Sequence, residues 1–159
     1  KKVGRLIASI YAEKQIDVIM TVATKGIPIA YAIADYLNVP VVIVRPDNKV
    51  TEGPTVSINY ISGSSKRIQT MLLSKRSLEV GSKVLVVDDF MKAGGTINGM
   101  KSLLDEFNAT VAGIAVLIES SDREERLVDN YVSLLKLAEV DEREKQIQVT
   151  KGNYFDLLK

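Results

Sequence analysis

Residues 84–96, VLVVDDFMKAGGT, hold the densest concentration of chemistry in the chain. Two adjacent acids, Asp88 and Asp89, can accept hydrogen bonds from two vicinal hydroxyls, the arrangement a ribose offers. The loop that follows, Phe90, Met91, Lys92, Ala93, Gly94 and Gly95, has glycines that let backbone N–H groups close around a phosphate at the start of a helix. Thr96 adds a hydroxyl donor, and Lys92 adds a full positive charge that a purely structural turn would not need. Each part alone has a bland explanation: Gly-Gly before a helix is usually a tight turn, and two acids after a strand often sit solvated or cap a helix. Their joint occurrence between a strand and a helix is far rarer, and it points to a phosphorylated sugar.

Acids at one sheet edge need a strand to deliver them. The run 83–88 supplies it, and open α/β sheets bind ligands at the carboxyl ends of their strands. Upstream, 16–22 reads as a buried strand, 23–26 as a polar turn, 27–37 as a helix and 41–44 as a second strand. Asn38 ends that helix and Pro40 opens the strand, so the whole is a βαβ unit. Apolar runs without alternation suit parallel strands covered on both faces. Runs 55–62 and 67–74 flank Gly63, Ser64, Ser65 and Lys66 and read as an antiparallel hairpin with a mobile tip. After residue 96, a helix with Ile97, Met100, Leu104 and Phe107 on its core face leads to a strand at 110–118. Residues 121–126 read as a charged loop or short helix, 131–140 and 146–150 as closing strands, and 154–159 as a packed or fraying tail. At the amino end, Val3, Leu6, Ile7, Ile10 and Tyr11 repeat at helical spacing.

The chain of 159 residues has the size and the 46% hydrophobic content of one globular domain, with no internal repeat and no linker that would divide it. A net charge of +1 predicts no bulk affinity for nucleic acid or membrane. Cys and His are both absent, which removes disulfides, thiolate chemistry, the commonest metal ligand and the commonest general base. Apolar stretches fall far short of the roughly 20 residues a membrane helix needs. No signal peptide is legible, which points to the cytoplasm. The chain lacks an initiator Met and opens on a helix with no capping residue before it, as a fragment would.

On these residues the sequence resembles the type I phosphoribosyltransferases, which share a hydrophobic strand, two acids and a small-residue phosphate loop ending in Thr. The resemblance implies that family's fold: a mainly parallel twisted sheet flanked by helices, with an antiparallel flexible hairpin. It also implies phosphoribosyl pyrophosphate (PRPP) as ligand, with Asp88 and Asp89 on the ribose hydroxyls and Lys92 through Thr96 on the 5-phosphate. Ala23, Thr24, Lys25 and Gly26 fall where the family places its pyrophosphate loop, often with a strained non-proline peptide. A plain helix start is the other reading of those residues. Arg45 and Lys49 match a cationic pair near the pyrophosphate, or are solvated loop charges. The hairpin matches the family's flap, with Tyr60, Ser64, Ser65 and Lys66 as secondary candidates. Lys75, Arg76, Arg123 and Arg126 read as surface charges.

The family contains both enzymes and PRPP sensors. Its hypoxanthine-guanine branch uses an acid at the fifth motif position to handle the base proton. Here that position is Lys92, which cannot serve as that carboxylate. Losing a general acid–base group costs about 10²–10⁴-fold in rate. TVATKGIPIAY, VPVVIVRPDNKVTEG, SINYISGSSKRIQTM and DDFMKAGGTINGM bring the sequence nearer the regulator branch, the purine operon repressors of Gram-positive bacteria. That likeness implies a homodimeric effector domain over 1–159 that binds PRPP with Mg²⁺, without turnover and without direct protein ligands to the metal. Operator DNA would be bound by an N-terminal winged helix outside this sequence. A purine phosphoribosyltransferase of adenine or xanthine type, and a dimerisation module with a relict motif, are the alternatives.

Overall fold

A computed structural model of the chain describes residues 1–46, 53–62, 66–121, 126–138 and 147–157. Lys49, Ser64, Ser65 and Arg123 lie outside them.

Helix α1 (Lys2–Tyr11) leads to β1 (Val18–Val22), α2 (Ile27–Leu37) and β2 (Val41–Val44). The hairpin β3 (Thr55–Ile61) and β4 (Ile68–Ser74) precedes β5 (Lys83–Met91), α3 (Gly95–Glu106) and β6 (Thr110–Ser120). β7 (Val132–Leu137), β8 (Val149–Lys151) and a 3-10 turn (Asn153–Asp156) close the chain. The main sheet runs β2-β1-β5-β6-β7-β8, parallel except for β8, and β3-β4 form a separate antiparallel ribbon. The predicted βαβ unit is present, with α2 and β2 at the expected bounds and Asn38 capping α2 in the left-handed region at φ 55°.

β5 sits near the middle of the sheet between β1 and β6, and its Val84–Val87 stretch is fully buried. Alternation along the strand sends Val84 and Val86 into the core under α3 and the ribbon, and Leu85 and Val87 into the core under α1 and α2. Burying a strand on both faces removes any need for polar alternation, which is why this run is continuously apolar. β5 extends three residues beyond its predicted end, because β6 continues alongside and pairs with Phe90 and Met91. The loop proper is therefore Lys92 to Gly94.

The first helix differs from expectation in its face. Ile7 and Tyr11 are buried as predicted, but Val3 and Leu6 are 39% and 41% exposed. Gly4 and Ala8 face inward instead, and a Cβ on Gly4 would stand 2.6 Å from the backbone of Ala32 on α2. Close approach of the two helices at Gly4 turns the bulkier side chains outward. β1 begins at Val18 rather than Ile16. The tail packs: Tyr154 is buried and Asn153 is bonded to Ser133 and Tyr131. No helix among the described residues is long and apolar enough to cross a membrane.

Candidate functional site

Three connections converge at one edge of the sheet. β1 ends in the turn 23–26, β5 ends in Asp88, Asp89 and the loop to α3, and the ribbon leans over both. They enclose a cavity of about 430 Å³. Its lining includes Ala23, Thr24, Lys25, Asp88, Asp89, Phe90, Met91, Lys92, Gly94, Gly95 and Thr96, together with Tyr60, Ser62 and Gln69 of the ribbon. The volume is in the range of small-molecule sites.

Asp88 follows Val84 and Val86 in the strand's alternation and so faces the α3 side. It is 7% exposed, and its Oδ1 accepts the Asp89 backbone N–H at 2.9 Å. Burial first, and the neighbouring Asp89 charge second, push its carboxyl up to about 7. A hydroxyl donor entering the cavity would stabilise the ionised form. Asp89 is half-buried beside it, so the pair offers acceptors to two adjacent donors.

Gly94 caps α3 at φ 95°, a conformation that disfavours any side chain, and no side chain caps the helix start. The free N–H groups of the first turn, with Gly95 and Thr96, open on the cavity, where anion binding is favourable. Lys25 and Lys92 add positive charge on two of its walls.

The turn after β1 is built differently. The Ala23–Thr24 peptide is cis. Gly26 lies beneath the turn, where a Cβ would stand 2.2 Å from Thr21 Oγ1. Thr21 is fully buried, and its hydroxyl has no hydrogen-bond partner. Sequence patterning gives no sign of this contact, since Thr21 reads as one more β-branched strand residue.

Tyr60 reaches the site because α3 carries Gly99 opposite it. A Cβ on Gly99 would stand 2.9 Å from that of Tyr60. The phenol donates to Gln69 Oε1 at 2.8 Å. Burial raises its pKa; a hydrogen bond with Thr96 opposes the rise, and the charge of Asp88 adds to it. Gln69 and Ser62 escaped sequence reasoning because nothing local distinguishes them from other hairpin polar residues.

Other predicted residues fall outside the cavity lining. Arg45 forms a bridge with Leu72 of the ribbon, its N–H donating to the Leu72 carbonyl at 3.1 Å, and it borders a separate depression beside β2. Lys66 stands exposed at the base of the ribbon tip. Ala93 turns its carbonyl to the N–H of Leu127 at 2.9 Å. Lys75 and Arg76 are exposed, as expected of surface charges. Arg126 is not one of them: it is ion-paired to Glu119 at 3.2 Å and donates to the Lys92 carbonyl. Reading it as a surface charge failed because its partners lie 7 and 34 residues away in sequence.

Among the described residues no cluster of three or more acids, Cys or His could hold a metal. Mg²⁺ fits the oxygen donors of the site only in company with the phosphates of a ligand.

A strand ending in an acid pair and leading into a glycine-started helix, on a mainly parallel sheet with a separate antiparallel hairpin, is the architecture of a phosphoribosyltransferase fold. The sequence matches the phosphoribosyl transferase domain family over residues 1–151, and the chain belongs to that family. It is 68% identical to the purine biosynthesis transcriptional repressor PurR of Bacillus subtilis (strain 168), over 99% of this chain and 55% of that protein. It is 56% identical to the purine biosynthesis transcriptional activator PurR of Lactococcus lactis subsp. lactis (strain IL1403), over 98% of this chain and 58% of that protein. The chain thus spans little more than half the length of these relatives. An adenine phosphoribosyltransferase structure from Thermoanaerobacter pseudethanolicus ATCC 33223 shares the fold, with a TM-score of 0.72 and 23% identity over 86% of this chain and 77% of that one.

Proposed function

We propose that this chain is the PRPP-binding effector domain of a transcriptional regulator of purine biosynthesis genes, acting as a sensor without turnover. The observation that carries this reading is the pairing of Asp88 and Asp89 with the bare amino end of α3 across one cavity. The acids accept the ribose hydroxyls, the helix start with Gly95 and Thr96 holds the 5-phosphate, and Ala23, Thr24 and Lys25 receive the pyrophosphate. Lys92 retains the anion where a transferase of the hypoxanthine-guanine type carries an acid. Mg²⁺ bound together with PRPP would neutralise the pyrophosphate charge, held by the ligand's phosphates rather than by direct protein ligands.

The identity to PurR proteins supports the regulatory half of this reading. The regulator acts in the cytoplasm as a homodimer and contacts operator DNA through a winged-helix segment of a longer parent chain. PRPP binding relieves that contact. Neutralising a basic face or ordering the ribbon would each produce the release. A PRPP titration by calorimetry, followed by addition of each purine base, tests the sensor: binding without pyrophosphate release is expected. Turnover with any base would favour a salvage transferase, the reading that the family name supports. PRPP binding that is abolished by Asp88→Ala or Asp89→Ala would eliminate the alternative of a dimerisation module with a relict motif.

A further inference from the structure

Arg126 does not line the cavity, yet its guanidinium is committed to the phosphate loop from behind. Nη1 donates to the Lys92 carbonyl and, at 3.5 Å, to that of Met91. Nη2 donates to the Ser120 carbonyl and to Glu119 Oε2. Glu119 is only 5% exposed, and it is otherwise occupied by the Tyr131 hydroxyl at 2.6 Å and the Ser133 hydroxyl at 2.7 Å. Leu127, the next residue, takes the Ala93 carbonyl, and Val128 backs Gly94 so closely that a Cβ there would stand 2.8 Å from Val128 Cγ2.

The consequence for the loop is directional. In a planar trans peptide the N–H points opposite to the C=O. Holding the Lys92 and Ala93 carbonyls toward residues 126 and 127 turns the N–H groups of Ala93 and Gly94 the other way. A carbonyl facing a phosphate would repel it; an N–H attracts it. A buried ion pair is weak evidence for a stability role, since desolvation offsets much of its attraction. This one spends its donors on loop carbonyls, which suits orientation.

We propose that Arg126, held by Glu119, is a positioning residue of the phosphate loop, setting its affinity for a phosphate monoester without touching the ligand. The proposal rests on the reading of the cavity as a phosphoribosyl site. It separates the two loops: Arg126 serves the loop after β5 and not the turn after β1.

The test titrates the full chain by NMR with ribose 5-phosphate and, separately, with pyrophosphate. Arg126→Gln is expected to weaken ribose 5-phosphate about tenfold, the effect of one charge-assisted hydrogen bond. Pyrophosphate affinity should stay within about twofold. Arg126→Lys should restore part of the loss, because it keeps the charge and one donor arm. Equal losses for both ligands, or no loss for ribose 5-phosphate, would overturn the proposal. If the native chain binds neither ligand, the phosphoribosyl reading fails on its own. The clamp is then decided by amide order parameters in the ligand-free chain: residues 92–95 should loosen in Arg126→Gln while α3 stays rigid, and unchanged loop order sinks it. Should Arg126→Gln not fold, Arg126→Lys carries the same contrast at about threefold, and no contrast between the ligands overturns the proposal.

Discussion

The turn after β1 and the loop after β5 leave neighbouring parallel strands at the same sheet edge, and they are secured by opposite means. The first rests on shape: Gly26 sits against Thr21 with no room for a methyl group, and the hydroxyl at that contact makes no hydrogen bond. The second rests on polar bonds: the Lys92 and Ala93 carbonyls are taken by Arg126 and the Leu127 N–H, and Asp88 holds the N–H of its neighbour. A steric seat tolerates loss of polarity but not added volume. A hydrogen-bonded seat tolerates the reverse. The two loops should therefore fail under different substitutions and different solution conditions.

The largest expected difference is in pH. The folded chain holds the Asp88 proton more tightly than the unfolded chain does, with the carboxyl at about 7 against an ordinary value of 3.8. The stability this proton brings is complete below about pH 4 and lost as pH rises through about 7, on the order of 4 kcal/mol in all. Urea denaturation of the ligand-free chain from pH 4 to 8 should show the decline, and Asp88→Asn should flatten it. No comparable dependence should arise from the turn after β1, so a decline that persists in Asp88→Asn breaks the contrast.

Next in size, Asp88→Ala should weaken PRPP about 100-fold by calorimetry, the equivalent of one strong charge-assisted bond. Binding by the native chain should also tighten as pH rises through about 7, because ribose hydroxyls favour the ionised carboxylate. An affinity indifferent to both changes would remove the acid pair from the site.

Gly26→Ala is expected to cost about 2 kcal/mol in urea denaturation, as overpacking does. The double variant with Thr21→Ala should recover a large part of that cost, since the clash is with Thr21 Oγ1 alone at close range. Additive losses in the cycle would show that the seat is not steric.

Thr21→Val is the smallest effect and has the opposite sign. Replacing an unpartnered buried hydroxyl by a methyl group of similar shape should raise stability by about 1 kcal/mol. A loss of that size would mean that the hydroxyl is bonded in solution.

Much of this molecule was legible in local patterning. The strand, acid pair, glycines and helix at 84–96, the βαβ unit before it and the hairpin between them follow from apolar runs, helical periodicity and turn residues. Those signals act over a few neighbouring positions, so sequence alone determines them. Asn38 is a case in point, since its left-handed cap is a property of the residue and its neighbours. Resemblance carried the ligand assignment further than patterning could.

Tertiary structure decided the rest, because the remaining interactions join residues distant in the chain. Which face of α1 is buried depended on Gly4 meeting Ala32. That Tyr60 reaches Thr96 depended on the gap left by Gly99. Thr21 and Gly26 are five residues apart and still gave no sign, since a clash with an absent Cβ has no signature in residue type. Arg126 had the composition of a surface charge and the position of a clamp. Only the packing of β6 against β5 brought Glu119, Arg126 and Lys92 together, and that convergence places a guanidinium on the carbonyl of Lys92 in the loop after β5.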